Sequence, residues 1–160
     1  MFNFLKNDAE RVTALRQLKL LDTAPQETFD RITRHCADLF DCQASLFSLI
    51  DENRQWFLSS VGVDIKETPR DVSFCNHTIA NGACLIVEDT LEDERFATNP
   101  LVTGEPYIRS YLGFPVRGPG GHQLGALCIF DDRPRKFGGA DRARLESLAC
   151  LALPVAVRSA

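Results

Sequence analysis

The sequence has no excess of positive charge: 18 Lys and Arg stand against 22 Asp and Glu in 160 residues, a formal net charge of −4. Phosphate neutralisation drives the affinity of dedicated nucleic-acid binders, so nucleic acid is not an expected partner. A long apolar run is also lacking. The longest, Leu148 to Val157, is interrupted by Pro154 and falls far short of the ~20 residues that span a bilayer. Met1-Phe2-Asn3-Phe4-Leu5-Lys6 is too short for a secretory signal and carries no cleavage-like site. The expectation is therefore a cytoplasmic protein with no membrane partner. Among six cysteines there is no Cys-x-x-Cys and no paired zinc-ligand spacing. Gly118-Pro119-Gly120-Gly121 lacks the Lys-Ser/Thr of a phosphate-binding loop, and no Ser-His-Asp order can be assigned.

What is present is an ordinary soluble composition, with 44% hydrophobic and 25% charged residues. One domain of this length buries roughly 70% of the surface its unfolded chain exposes. No repeat or linker divides the chain, so it reads as a single domain over 1–160, with a core of about 10–155 and an extension over 1–9. Asp8 to about Leu20 has Val12, Leu15 and Leu18 on one side of a helix. Thr23-Ala24-Pro25-Gln26 fits a capping box for a second helix, whose stripe is Phe29, Ile32, Cys36 and Leu39/Phe40. Ala44–Ile50 and Arg54–Ser60 read as a hairpin around Asp51-Glu52-Asn53, the first strand being covered on both faces. Gly62–Pro69 reads as a loop. Asp71–Ala80 reads as a helix capped by Ser73 or Asp71 and stopped at Gly82, and Ala83–Val87 as a strand. Asp89–Gly104 is polar and irregular. Ser110–Val116 and Gln123–Phe130 flank the glycine-rich turn, and a last helix spans about Gly139 to Val157 with Leu145, Leu148, Ala149 and Ala152 on one stripe. Strands joined by tight turns, with helices at both ends, imply an α+β fold with a mainly antiparallel sheet.

The six cysteines (Cys36, Cys42, Cys75, Cys84, Cys128, Cys150) sit among apolar neighbours and read as reduced thiols in the core. Cys75 and His77 lie two positions apart. On a helix they point about 200° from one another, so they would share a metal or activate the thiol only if the segment were extended or a helix start. The plainer reading has Cys75 packed inward and His77 hydrogen-bonded to a backbone or carboxylate group. Asp89, Asp93, Glu94, Arg95, Asn99, Arg109 and Tyr111 form a second polar group. They either face a small ligand or pair among themselves to pin an irregular loop. Trp56, on a strand, reads as core rather than as a stacking platform.

Several motifs in order resemble a known family. They are Leu20-Leu21-Asp22-Thr23 with Glu27-x-Phe29-Asp30, then Ser48-Leu49-Ile50-Asp51-x-x-Arg54-Gln55-Trp56-Phe57, then Glu67-Thr68-Pro69-Arg70-Asp71-x-Ser73-Phe74-Cys75-x-His77-x-Ile79. Asp93-x-Arg95-Phe96-x-x-Asn99-Pro100-Leu101-Val102 and Leu124-Gly125-x-Leu127-Cys128 follow. Over roughly residues 10 to 155 the chain resembles a GAF domain, in the subgroup found ahead of histidine kinases and diguanylate cyclases. The resemblance implies a central antiparallel sheet of about six strands, with terminal helices packed on one face and forming a dimer interface. It places a ligand-pocket helix and loops on the other face. Carried onto this chain, the candidate pocket comprises Trp56, Arg70, Ser73, Phe74, Cys75, His77, Asp89, Asp93, Arg95, Asn99, Arg109 and Tyr111. The ligand and any cofactor are unknown, and a fold does not name them.

Three functional classes follow from the resemblance. The first is a sensory or regulatory module that binds an unidentified small molecule and signals through a homodimer to a kinase or cyclase effector, in the same chain or in trans. The second is a thiol redox enzyme such as a free methionine-(R)-sulfoxide reductase. Cys75 and Cys84 fall in the pertinent region, but the family's reactive position, ahead of Arg109-Ser110, carries no thiol between Gly104 and Ser110. The third is a ligand-free dimerisation module whose pocket is filled by Phe74, Trp56 and Phe96. Cyclic-nucleotide binding is weakly supported, because no Asn-Lys pair precedes Asp93-Glu94. Bilin attachment is not supported, because Asn76 separates Cys75 from His77 and the Asp-Ile-Pro motif is missing. The sequence ends at Ala160 without an effector domain, which is expected either of a module from a larger signalling protein or of one acting in trans.

Overall fold

The computed structural model describes residues 7–158, with side chains described as far as Ala152. Residues 1–6 of the expected extension and the side chain of Pro154 lie outside what is described, whereas Asp8 and Ala9 already belong to the first helix. Its elements, in chain order, are α1 (Asp8–Gln17), α2 (Glu27–Phe40), β1 (Ala44–Ile50), β2 (Arg54–Val61), β3 (Glu67–Pro69), α3 (Phe74–Asn81) and β4 (Leu85–Val87). Then come α4 (Pro100–Thr103), β5 (Ser110–Arg117), β6 (Gln123–Asp131) and α5 (Gly139–Arg158). The strands form one antiparallel sheet in the order β3-β2-β1-β6-β5-β4. The expected α+β class and the six-stranded sheet are both present.

Strand alternation sorts the apolar side chains into two cores. Phe47 and Leu49 on β1, Leu112 and Val116 on β5, and Leu127 and Ile129 on β6 point to a layer formed by α1, α2 and α5. Leu46 and Ile50 on β1, Ala126, Cys128 and Phe130 on β6, and Tyr111 on β5 point the other way, towards α3 and the long loops. Because β1 is covered on both faces it is buried at every position. A bulge in β2 leaves Leu58 extra between Phe57 and Ser59, which are paired to Ser48 and Phe47. That extra residue reverses the alternation beyond it, so both Leu58 and Ser59 face the helices. At the sheet centre β6 and β1 approach so closely that a Cβ on Gly125 would stand 1.8 Å from the Ser48 carbonyl oxygen. Gly120 and Gly121 supply the positive φ angles of the β5–β6 turn.

Two local expectations are corrected. The capping box at Thr23 does not form: α2 begins at Glu27 behind Gln26, with no side-chain cap, and the Thr23 hydroxyl donates instead to the Leu20 carbonyl. The Gly62–Pro69 segment is not wholly loop. Its end pairs with Arg54–Trp56 as β3, a short edge strand whose Pro69 needs no inner hydrogen bond. The stripe on α2 holds at Phe29, Cys36 and Phe40, while Leu39 is exposed.

Candidate functional site: the cavity between the sheet and α3

Ser73 caps α3 by accepting a hydrogen bond from the Asn76 amide at 3.1 Å, and its own hydroxyl donates to Gln55 Oε1 at 3.0 Å. Gln55 donates in turn to Thr68 Oγ1 at 3.0 Å. These bonds tie α3 to the β2–β3 edge and turn its first residues towards the sheet. Phe74 and Cys75 thereby pack over Tyr111 and Cys128, leaving a small, largely apolar cavity of about 40 Å³. Val63, Ile65, Leu101 and Pro106 line its outer side. Phe74 is also stacked on Phe96, with ring centroids 4.2 Å apart.

The cavity floor is a cluster of soft and hydroxylic groups. Cys75 Sγ lies 3.3 Å from Tyr111 Oη and 3.7 Å from Cys128 Sγ, and Tyr111 Oη lies 2.7 Å from Thr78 Oγ1. Burial opposes the ionisation of Cys75, but hydrogen bonding with Cys128, Ser48 and Tyr111 offsets it and pulls its pKa below the ordinary thiol value. Burial first, and then the neighbouring Cys75, push the pKa values of Tyr111 and Cys128 well up.

Of the candidate pocket residues, Phe74, Cys75 and Tyr111 line this cavity. The others stand elsewhere. Arg70 is wholly buried and acts as a strut. Its Nη atoms reach both carboxylate oxygens of Asp8 at 2.9 Å, its Nε donates to Asn76 Oδ1 at 2.9 Å, and Nη1 donates to the Asp51 and Glu52 carbonyls at 3.2 Å. Burial raises the Asp8 pKa, but hydrogen bonds from Arg70 and Arg11 more than offset it and hold the carboxyl below its ordinary value. Asp93 pairs with Arg95 at 2.7 Å and Asp89 with Arg109 at 3.1 Å. Asn99 caps α4 through the Leu101 amide and donates to the Val72 carbonyl at 3.0 Å. These residues therefore pin the loop, the second of the two readings open at the sequence level. His77 lies edge-on to Phe96, and burial with the charge of Arg95 pushes its pKa down. It does not converge with Cys75, and among the described residues no group of three His, Cys, Asp or Glu is placed to hold a metal.

Trp56 belongs to the helix-side core, so it cannot fill the cavity with Phe74 and Phe96. The reason is register: Phe57, one residue on, takes the cavity face. Cys84 likewise packs against the helix-side core, near Arg142 and Glu146 of α5. Cys150 is exposed, so the reading of all six cysteines as core is corrected at that position. Cys36 is pushed up to about 12 and Cys42 to about 11, both chiefly by burial.

Sequence reasoning missed an open groove of about 690 Å³ between α2 and β2. Trp56, Arg34, Lys66 and Glu67 line it, and Thr33 Oγ1, Ser59 Oγ and Asp30 Oδ1 run along its floor at 2.7 and 2.5 Å. The β2 bulge that aims Ser59 at α2 has no plain sequence signal.

The GAF domain family matches residues 24–158. The chain belongs to that family. It is 38% identical over 149 residues to a cyclic di-GMP phosphodiesterase from Pseudomonas aeruginosa, covering 92% of this chain but only about a quarter of the relative. Among solved structures, the GAF domain of an Acinetobacter phosphoenolpyruvate-protein phosphotransferase superposes with a TM-score of 0.67 at 18% identity, covering 92% of each chain. The free methionine-R-sulfoxide reductase of Neisseria meningitidis superposes with a TM-score of 0.68 at 17% identity, covering 97% of this chain and 92% of that one. At those identities the two structures establish the GAF fold alone. No helix among the described residues is long and apolar enough to cross a membrane.

Proposed function

We propose that this GAF domain is a sensory and regulatory module that binds a small, largely apolar molecule between the sheet and α3 and reports its presence through the terminal helices of a homodimer. The observation that carries the reading is Arg70. One guanidinium joins Asn76 on the cavity helix α3 to Asp8 at the start of α1, so a displacement of α3 that disturbs Asn76 reaches α1 through a buried charge-assisted bond. Such a strut gives the cavity and the terminal helix a physical connection, and a ligand with different affinity for the two strut geometries would shift their populations. Leu151, exposed on α5, supports the terminal helices as the dimer surface. The likeness to a cyclic di-GMP phosphodiesterase supports a place in the control of cyclic di-GMP turnover, with the effector in the same chain or in trans.

Two measurements test this. Native mass spectrometry of the protein as isolated is expected to show a dimer carrying an added small mass per protomer. Hydrogen exchange of Asn76→Ala is expected to show faster exchange over Asp8–Leu15 than in the unsubstituted protein. If α1 exchange is unchanged in the variant, the coupling is lost as an explanation. The stacked Phe74 and Phe96, which leave so little free volume, favour a second reading, a ligand-free dimerisation module. A dimer of bare mass, with no change on adding small apolar probes such as benzene, would decide for it.

A further inference from the structure

The two cavity thiols are in direct contact, and the sensory reading leaves them without a task. Cys75 is placed by the first turn of α3 and Cys128 by the central strand β6, so their 3.7 Å separation joins segments 53 positions apart in sequence. A disulfide needs the sulfurs at about 2.05 Å, an approach of under 2 Å between a short helix and the sheet. Both sulfurs border a cavity of about 40 Å³. A space this small and apolar favours a compact, uncharged oxidant.

We propose that Cys75 and Cys128 are a reversible dithiol–disulfide couple oxidised by hydrogen peroxide or a hydroperoxide of similar size. Cys75 is the attacking sulfur, because the Tyr111 hydroxyl stands 3.3 Å from it, placed to donate to its thiolate, and the thiolate is the nucleophile. Its sulfur attacks one peroxide oxygen and the O–O bond breaks. The departing hydroxide takes up the proton that Cys75 released and leaves as water, giving Cys75 sulfenic acid. The Cys128 sulfur then attacks the sulfenic sulfur, the S–O bond breaks, and hydroxide leaves with the Cys128 proton as a second water. Two thiols lose two electrons in all, and one peroxide becomes two waters. A low-molecular-weight thiol returns the pair to the reduced state by exchange when α3 moves off the sheet, since both sulfurs are otherwise buried. Tyr111 Oη, 3.3 Å from Cys75 Sγ and 2.7 Å from Thr78 Oγ1, is placed to hydrogen-bond the departing oxygen. Cys36 and Cys42, on the helix side, are held protonated by burial and serve as internal controls. The couple goes beyond the ligand reading and stands without it.

The experiment uses Cys150→Ser protein, which removes the exposed thiol, treated with hydrogen peroxide and then alkylated in denaturant. The expected result is a loss of two hydrogen masses, protection of two thiols from alkylation, and a peptide map that joins the Cys75 and Cys128 peptides. Dithiothreitol should restore both thiols. In a Cys128→Ser variant the reaction should stop at a Cys75 sulfenic acid that dimedone traps. Retention of both thiols after peroxide overturns the proposal. Oxidation confined to Cys42 or Cys84, or a Cys75 sulfinic acid in the parent without a cross-link, overturns it as well. Peptide mapping of the parent protein decides between these outcomes even if Cys128→Ser fails to fold.

Discussion

The two faces of the sheet are built on different principles. On the helix side, long amphipathic elements supply large side chains that interdigitate, as where Phe29 meets Phe47 edge-to-face with centroids 5.6 Å apart. On the cavity side, the elements are short, and polar contacts hold them: the Ser73–Gln55–Thr68 chain, the Arg70 strut, and the Asp89–Arg109 and Asp93–Arg95 pairs. The first face is stabilised by area removed from water, at about 25 cal/mol per Å². The second is positioned by bonds whose net contributions are individually small. The cavity face buries apolar side chains too, Phe74, Ile79, Phe96 and Val102 among them, but its short elements take their positions from directional bonds and can shift without unfolding the domain, as a sensing surface requires. The contrast explains why the cavity lies where it does.

The comparison predicts unequal responses to substitution. Phe47→Ala on the helix side should cost about 3–5 kcal/mol in urea unfolding, because the surrounding side chains cannot collapse into the space left. A cost near 1 kcal/mol would mean that this face is loosely packed after all. Asp8→Asn should cost about 3 kcal/mol, since it leaves the fully buried Arg70 guanidinium without its carboxylate. The native Asp8 pKa lies below its ordinary 3.8. Its stabilisation is therefore complete above about pH 3.8 and lost as pH falls through the lower native value. Asp8→Asn should flatten that acid limb, and an unchanged limb would show that other carboxylates govern it.

Ser73→Ala should cost about 1 kcal/mol, the usual loss for a helix cap. It should also raise hydrogen exchange in α3 without altering α2 or α5, and a change spread over both faces would contradict their separation. Arg95→Ala should be the mildest, about 0.5 kcal/mol or less, because the Asp93–Arg95 pair is partly exposed and screened by salt. An effect as large as that of Asp8→Asn would give the loop pair a role beyond pinning.

Much of the fold was legible because it rests on local signals. Ala44–Ile50 reads as a strand covered on both faces and is one; the Gly118–Gly121 turn, the Ser73 cap and the Gly82 stop are likewise where backbone chemistry puts them. β3 escaped notice because three residues at a sheet edge carry no periodicity, and their strand character comes from pairing with Arg54–Trp56. The Thr23 capping box failed because α2 begins only at Glu27, behind Gln26, which leaves Thr23 outside its first turn.

The site was legible as a list of residue types and not as an arrangement. Composition, hydrophobic period and turn residues determine the order of elements and which stripe of each helix is apolar, because those quantities depend on neighbours within a few positions. Which polar residue pairs with which depends on segments distant in sequence being brought together. Only the tertiary structure could decide that Arg70 spends its guanidinium on Asp8, 62 positions away, rather than on a ligand. It alone placed Trp56 on the helix side and Phe57 on the cavity side, and set the Cys75 and Cys128 sulfurs in contact. The physical reason is directionality: burial accepts any apolar surface, whereas a buried charge or thiol is defined by the particular partner that faces it.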